Sequence, residues 1–492
     1  MNKEELSIIF SANERFAKRK HSEEEHIFRS SYERDRDRIL YSKEFRRLNR
    51  KTQVFISGFD DHTRNRLTHT IEVAQISQTI ATHLGLNIPL TQAISYGHDV
   101  GHTPFGHVGE RTLNHFMNGC FKYNDFNQSI KNKNGFKHNW QGIRVLTYLE
   151  NISDKFSGLN LTYNTLWGIL NHTGIEAKKC DYIKKEDGIC QFRHKENQCH
   201  NIKPKLESEK AESKTSLDFY NQYSSYNSFE YWTIEGLIVR MADEIAQRHH
   251  DLEDGFFANL LTKEQIVTMI GILIDYASIE DQKKFEVVKN KIDSETFIYS
   301  ISSLLINILT TDLLKQTKYN LEKLAKTYSI KDSQDFYIKK QEMYFVKVAS
   351  GKSQIFDIVS YSPKIAIYEE ALQDNLKNCI LNSNIAQSMD GKSFFILRRI
   401  IYAYLDNPQQ LPDSTIKNLF MRLLGKDYYV DTMSIGDLRQ MLSKHHYEKN
   451  DITYRQLLMR TICDYIAGMT DDFAIKQYNI LYGTSNVFNG SY

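Results

Sequence analysis

Apolar residues recur at helical spacing along most of the chain. Two segments carry the pattern most clearly, one after His69 and one around Asp243: Ile71, Val73, Ala74, Ile76, Ile80 and Leu84 in the first, and Ile234, Leu237, Ile238, Met241, Ala242 and Ile245 in the second. Positions three or four apart lie on one side of a helix, so each segment presents a stripe to a core. The pattern predicts an all-α fold, with His69 near the start of one helix and Asp243 inside another.

Two regions break the helical pattern. Residues 176–228 are rich in polar side chains, and we interpret them as an insertion that is mobile or lightly packed. Residues 343–348 and 354–359 are rich in β-branched and aromatic residues, which favour extended backbone. The pattern therefore predicts two short strands within a mainly helical chain.

Composition narrows the class of protein. The chain has 492 residues and a net charge of +2, so it carries no strong field for a polyanion. Its 6 prolines and 23 glycines are fewer than an all-β protein usually needs for its turns. The most apolar run that we identify, residues 266–274, is too short to cross a bilayer, and no signal-peptide pattern is found. The six cysteines form no disulfide framework. These features predict a cytoplasmic protein that does not enter a membrane.

Residues 96–107 contain the densest group of metal-binding side chains: His98, Asp99, His102 and His107. An adjacent His-Asp pair can hold one cation, because imidazole suits transition metals and carboxylate suits harder ions. Glycines and a proline in the segment interrupt any helix. His102 and His107 are therefore expected on a loop that can fold back over a bound ion.

The candidate ligands follow a set order along the chain: His69, then His98-Asp99, then Asp243. This order and its surrounding residues resemble the HD phosphohydrolase superfamily, in which two histidines and two aspartates from different helices bind one metal. Three longer blocks, residues 33–55, 243–254 and 464–471, are similar to signatures of the bacterial deoxyguanosinetriphosphate triphosphohydrolases. The resemblance runs from residue 29 to about residue 480, nearly the whole chain.

The resemblance implies an HD-domain helical phosphohydrolase fold with a polar insertion and a helical C-terminal region. Its expected parts are the N-terminal part of the HD catalytic domain (1–175), the insertion (176–228), the rest of the HD core with the fourth metal ligand (229–280), and a mainly helical region that completes the substrate pocket and makes oligomer contacts (281–492).

The resemblance also implies a divalent metal, Mg²⁺, Mn²⁺ or another transition metal, bound by His69, His98, Asp99 and Asp243. Taken one at a time, each histidine is better explained as a core residue, and Asp243 as a cap or a salt-bridge partner. The set of four in the family's order is what indicates the metal.

Four further residues are expected to take part in catalysis. The resemblance implies that His102 and His138 lie by the α-phosphate of a nucleotide, and that His107, supported by Glu110, gives a proton to the departing 5′ oxygen. A histidine near neutral pKa is suited to that transfer. Glu110 lies one helical turn after His107, so a contact between them is plausible, although alone it is better explained as a first-turn glutamate.

The remaining site residues are assigned to the substrate. The resemblance implies that Arg66 pairs with phosphate, that Gln53 touches the sugar or base, and that Asp251 accepts a hydrogen bond from the 3′ hydroxyl. The family usually places a tyrosine against the 2′ carbon, four residues after the last metal ligand. Here that position is Gln247. This departure makes tolerance of a ribose hydroxyl an expectation, unless another aromatic side chain fills the slot.

The activity implied is hydrolysis of dGTP, or of other dNTPs, to deoxynucleoside and inorganic triphosphate. The resemblance further implies a homo-oligomer, often a hexamer, a nucleotide activator at a second site and, in some members, binding of single-stranded DNA. Two alternatives stay open: another HD phosphohydrolase that acts on a nucleoside monophosphate or an alarmone, and a non-catalytic sensor of nucleotides or nucleic acids.

A separate group of thiols and imidazoles lies in the insertion: Cys180, Cys190, His194 and Cys199. Thiolates and imidazoles at this density can form a structural zinc site. The spacing lacks a tight Cys-x₂-Cys pair, so ordinary loop residues are the alternative.

Overall fold

A computed structural model describes residues 1–53, 64–117, 135–174, 223–346, 353–424, 430–448 and 452–483. Within these ranges the chain forms nineteen α-helices, joined by short turns and with no β-strand beyond isolated bridges. The all-α prediction is therefore confirmed. The helices are α1 (Lys3–Phe10), α2 (Ser31–Leu40), α3 (Lys43–Arg47), α4 (Arg66–Leu84), α5 (Ile88–Gly97), α6 (Gly106–Met117), α7 (His138–Arg144), α8 (Tyr163–Asn171), α9 (Ile234–Phe257), α10 (Lys263–Ile274), α11 (Ile279–Val288), α12 (Ser294–Tyr328), α13 (Ser333–Phe345), α14 (Pro363–Leu381), α15 (Asn384–Asp406), α16 (Asp413–Leu424), α17 (Ile435–Glu448), α18 (Ile452–Ala467) and α19 (Asp471–Tyr482).

Two helices that carry candidate ligands have well-defined N-termini. The Asn65 side chain accepts a hydrogen bond from Thr68 N at the start of α4, and the Thr233 side chain accepts one from Gly236 N at the start of α9. Such caps satisfy backbone donors that the first turn leaves free. α4 ends at Gly85, whose left-handed φ of 72° suits a residue without a Cβ.

The buried apolar side chains form two clusters. The first core extends from Leu6 to Leu376 and includes the inner faces of α4, α5, α8, α9 and α12. The second core joins α15 to α19 with α6, through Leu113, Phe116 and Met117. Helix α6 is thus early in the chain but packs with the C-terminal helices.

Polar contacts tie the C-terminal helices to the segments around α6. Asp471 accepts hydrogen bonds from Thr52 N at 2.8 Å, from the Thr52 hydroxyl, and from Phe105 N at 2.8 Å. The buried Lys51 ammonium donates to Ala467 O at 3.0 Å and to His102 O at 2.5 Å. The block at residues 464–471 therefore lies against the loop that carries the candidate histidines.

Three predictions about individual segments need correction. Residues 343–345 end α13 and residues 354–357 form a 3₁₀ turn, so the predicted strands are wrong there; α13 begins at an Asp332 cap and packs against α1 instead of pairing as a strand. The end of the segment 176–228 is not loosely packed as expected, because Tyr223 and Tyr226 are buried in the first core. The prediction that places His107 on a loop is wrong, because His107 lies in the first turn of α6.

Helix α12, which spans Ser294–Tyr328, is the one described helix that is long and apolar enough to cross a membrane. Half of its most apolar window is buried inside the fold, as in a core helix of a soluble protein. Its side chains Ile301, Leu305 and Leu309 belong to the first core. The helix therefore gives no positive sign of a membrane.

Candidate metal and acid–base site

Four side chains converge where α4, α5 and α9 meet. His69 lies in the first turn of α4, Asp243 in α9, and His98 and Asp99 directly follow α5. His69 Nε2 is 2.9 Å from Asp243 Oδ1 and 3.4 Å from His98 Nε2. His98 Nε2 is 3.6 Å from Asp99 Oδ1 and 3.7 Å from Asp243 Oδ1. His69, His98 and Asp99 are buried, and Asp243 is half-buried.

This donor set fits a divalent ion. Its nitrogens and oxygens are spaced as ligands are around one ion with bonds of about 2.0–2.2 Å. Burial opposes the charge on Asp99, but Arg66 and the nearby histidines outweigh it and hold its pKa well below the usual range. At Asp243, burial is outweighed by His69 and His98, and the pKa falls to about 2. Both carboxylates are therefore ionised and available to a cation.

A close approach of backbones brings α7 onto the loop after the His-Asp pair. A Cβ on Gly101, whose φ is 107°, would lie 2.3 Å from Gly142 N, and a Cβ on Gly142 would lie 2.3 Å from Val100 O. Glycine is needed at both positions because no side chain fits between loop and helix. The contact stacks the rings of His102 and His138, with centroids 3.8 Å apart and planes at 16°.

Glu110 contacts His138 and not, as the spacing on the helix suggested, His107. Its carboxylate accepts hydrogen bonds from His138 Nδ1 and, at 3.2 Å, from His138 N; it also lies 3.1 Å from Lys137 Nζ. The physical reason is that α7 begins at His138, where a free backbone N–H and the helix dipole favour a carboxylate. The structure therefore pairs Glu110 with His138.

The neighbours of His138 determine where its protons lie. His172 Nδ1 is 2.7 Å from Ile169 O and donates to it, so His172 Nε2 is left as an acceptor. Burial, together with His98 and His138, lowers the His172 pKa to about 3 and keeps that ring neutral. His138 Nε2 lies 3.4 Å from His172 Nε2, while its Nδ1 faces Glu110. Both nitrogens of His138 therefore face hydrogen-bond acceptors.

Two segments of the chain match known protein families. An HD domain matches residues 66–191, and a phosphohydrolase-associated domain matches residues 431–480. A deoxyguanosinetriphosphate triphosphohydrolase-like protein of Rickettsia rickettsii is 31% identical over 461 residues, which cover 94% of this chain and 93% of the relative. One of Bartonella quintana is 30% identical over 486 residues, covering 98% and 96%.

The chain belongs to the deoxyguanosinetriphosphate triphosphohydrolase-like family of HD-domain proteins. The predicted resemblance is thus confirmed. HD domains bind divalent metals, and the His69, His98 and Asp99 group has the geometry to hold one. The family match does not extend to the identity of the ion.

In this member of the family, Arg66 and His102 lie on either side of Asp99. Arg66 Nη1 is 2.9 Å from Asp99 Oδ2, and His102 Nε2 is 3.0 Å from Asp99 Oδ1. Among the described residues, Arg66 Nε and His102 Nδ1 are buried without a hydrogen-bond partner. Burial, with Arg66 as the next cause, holds the His102 pKa well below its usual range. Nε of the Arg66 guanidinium and Nδ1 of the neutral His102 ring are therefore available to a ligand.

His107 lies next to His102, with ring centroids 6.4 Å apart. Its side chain is exposed, yet loss of hydration among the surrounding protein atoms, followed by Arg66 and His138, lowers its pKa to about 4 against the effect of Glu110. The free protein therefore carries His107 as a neutral ring at pH 7.

The residues that we predict to contact the sugar or base lie in α9 and at residue 53. Asp251 is buried two turns after Asp243; burial raises its pKa to about 6, opposed by Arg248 and Lys377. Gln247 is half-buried on the same helix. Gln53 Oε1 is buried and, within the described part of the chain, unpartnered. The four residues of the suggested zinc site, Cys180, Cys190, His194 and Cys199, lie outside the described residues.

Sequence reasoning passed over four residues that the structure brings to the site: Glu72, His172, His249 and His250. His172 lies between His98 and His138, with ring centroids 5.2 and 5.3 Å away. His249, His250 and Glu72 form a second cluster behind His69. The available signal was the adjacent His249-His250 pair inside the matching block at residues 243–254, which precedes Asp251 directly.

Proposed function

We propose that the protein hydrolyses deoxynucleoside triphosphates, with dGTP preferred, to deoxynucleoside and inorganic triphosphate. The observation that carries the proposal is the adjacency of two groups. The metal donors around Asp99 and the Glu110–His138 pair are joined through His102, which contacts Asp99 and stacks on His138. The names of the Rickettsia and Bartonella relatives support a dGTP-like substrate.

The metal side would bind and polarise the α-phosphate. A divalent ion held by His69, His98, Asp99 and Asp243 supplies Lewis acidity toward phosphate and water. Arg66 Nε and His102 Nδ1, which have no partner among the described residues, are suited to bind oxygens of that phosphate. Arg66 also keeps Asp99 ionised by pairing with it.

The acid–base side would complete the cleavage. Water adds to the α-phosphorus, the bond between phosphorus and the 5′ oxygen breaks, and the departing oxygen needs a proton. We assign that proton to His138, because Glu110 and the neutral His172 both accept from its ring. For His107 we propose a binding role, because its ring is neutral in the free protein and Glu110 contacts His138 instead.

The remaining assignments concern selectivity and assembly. Asp251 is proposed to accept a hydrogen bond from the 3′ hydroxyl, Gln53 to contact the sugar or base, and Gln247 to form a wall that tolerates a ribose hydroxyl. A cytoplasmic homo-oligomer, a nucleotide activator and single-stranded DNA as a partner are proposed from the family resemblance alone.

The test is product analysis with the purified protein. Each dNTP is supplied alone and in mixtures, with Mg²⁺ or Mn²⁺, and products are separated by anion exchange. Inorganic triphosphate together with deoxyguanosine is the expected result. Pyrophosphate or orthophosphate would make the protein a different HD hydrolase, and binding without turnover in every mixture would make it a nucleotide sensor.

A further inference from the structure

The cluster of Glu72, His249 and His250 adjoins the Nδ1 side of His69, opposite the Nε2 atom that faces the metal donors. His69 Nδ1 lies 3.2 Å from His250 Nδ1, and His250 Nε2 contacts a carboxylate oxygen of Glu72. His69 and His250 are both buried. Each nitrogen of His69 therefore has a separate function: Nε2 faces the metal donors, and Nδ1 faces a second histidine.

Only one arrangement of protons satisfies this chain of contacts. A metal needs the lone pair on His69 Nε2, so the proton of the neutral ring lies on Nδ1 and is donated to His250 Nδ1. The proton of His250 is then on Nε2, where the Glu72 carboxylate accepts it. In the reverse arrangement His69 Nε2 carries the proton and cannot bind metal, and a bare His250 nitrogen faces a carboxylate oxygen.

We infer that His250 and Glu72 are positioning residues that hold His69 in the orientation and tautomer needed to bind the metal. The inference rests on the proposed metal site and adds a residue pair to it. The two helices α4 and α9 contact each other at two levels. His69 meets Asp243 at the level of the metal, and Glu72, one turn later on α4, meets His250, two turns later on α9.

Arg64 holds Glu72 in place from the other side. Its guanidinium lies 3.5 Å from Glu72 Oε1, 3.3 Å from Asp254 Oδ1, and in contact with Glu253. His249 Nε2 adds a hydrogen bond to Glu72 at 3.2 Å but has no contact with His69 in the structure. The carboxylate is therefore fixed on one side by Arg64 and on the other by two imidazoles.

A second metal ion is the competing interpretation of the same cluster. Ligand atoms of Glu72, His249 and His250 all lie within 4.8 Å of one another. An ion on His250 Nε2 would move the His250 proton to Nδ1 and the His69 proton to Nε2, which would disable the first site. The Arg64 charge beside Glu72 also opposes a second cation. Both arguments favour the positioning role.

The experiment measures Mn²⁺ affinity and stoichiometry of the full-length protein by calorimetry, with circular dichroism as the check on folding. His250→Ala and Glu72→Gln are expected to weaken Mn²⁺ binding roughly 10- to 100-fold. His83→Ala is the control, because it removes an exposed imidazole from the same helix α4; its Mn²⁺ affinity should equal that of wild type. His250→Asn, whose amide oxygen can accept from His69 Nδ1, should restore most of the affinity.

Two results would overturn the inference. In the first, His250→Ala and Glu72→Gln bind Mn²⁺ as wild type does while Asp243→Ala does not, which refutes the positioning role and leaves the metal site intact. In the second, wild type binds two ions and Glu72→Gln binds one, which makes the cluster a metal site itself. If Asp243→Ala also keeps its metal, the proposed site fails, and the inference fails with it.

Discussion

The two halves of the candidate site are supported differently: the metal half lies in the first hydrophobic core, whereas the acid–base half spans both cores, because α7 packs Trp140 and Ile143 into the first core and α6 packs into the second. His69 and Asp243 lie on α4 and α9, whose apolar faces fill the first core. Glu110 lies on α6, which packs into the second core with the C-terminal helices. The metal half is built from helices that contact each other directly. The acid–base half depends on partners more than 300 residues away, such as Asp464 for Arg144 and Asp471 for Phe105.

Because of this difference, metal binding and proton transfer can be tested separately, although a single activity assay measures them together. Helix α7, which carries His138, ends in Arg144, whose guanidinium makes a bidentate pair with Asp464 at 2.7 and 2.9 Å. Helix α6 and its preceding turn are held by Asp471. Metal binding and proton transfer should therefore respond to different substitutions.

The largest effect is expected at the metal half. Asp243→Ala removes one of two ionised carboxylates, and we expect loss of bound metal and a fall in kcat of about 10³-fold or more, since an ion contributes several kcal/mol to charge stabilisation. Metal analysis of the purified variant and circular dichroism measure the two outcomes. A variant that keeps metal at wild-type stoichiometry would refute the assignment.

The acid–base half is tested by two histidines. His138→Ala should lower kcat by roughly 10²–10⁴ while Mn²⁺ affinity stays at the wild-type value, because His138 is the proposed donor. His107→Ala should mainly raise KM. Steady-state kinetics on dGTP distinguish them. The opposite pattern, with kcat lost in His107→Ala and KM raised in His138→Ala, would mean that His107 is the proton donor.

The connection between the second core and the site is tested at Asp471. Asp471→Ala removes the carboxylate that accepts hydrogen bonds from Thr52 N and Phe105 N, and a buried backbone donor that loses its acceptor costs about 1–3 kcal/mol. We expect a lower thermal midpoint and a lower kcat, with unchanged Mn²⁺ affinity. Asp472→Ala removes an exposed neighbouring carboxylate and serves as the control. Equal losses of metal binding and kcat in Asp471→Ala would mean that the halves are not separable.

The smallest effect concerns Gln247. A glutamine can hydrogen-bond a ribose hydroxyl, whereas an aromatic wall leaves that hydroxyl unsatisfied. Gln247→Tyr should therefore raise the ratio of dGTP to GTP turnover by about tenfold. The measurement compares kcat/KM for both nucleotides, with activator at saturation. An unchanged ratio would place the sugar wall elsewhere.

Sequence patterns predicted the parts of this molecule that depend on local spacing. The helical stripes around His69 and Asp243, and the loop that carries His102, follow from residues close together in the chain, whereas the predicted loop ends before His107, which lies in α6. The pairing of Glu110 with His138 could not be read from spacing, because it depends on where α7 begins relative to α6. The support of His69 by His250 was also missed, since it arises only when α4 and α9 pack together.

The late position of Asp464 and Asp471 bears on how the protein is made. Chains emerge from the ribosome from the N-terminus, and early elements pack first. The first core, which supports the metal half, is complete by residue 376, whereas Asp464 and Asp471, which fix α7 and the turn before α6, are translated more than 80 residues later. An unfinished chain would then be able to hold an ion before its proton donor is in place. Translation itself would delay hydrolysis of the cell's nucleotides until the last helices have joined the fold.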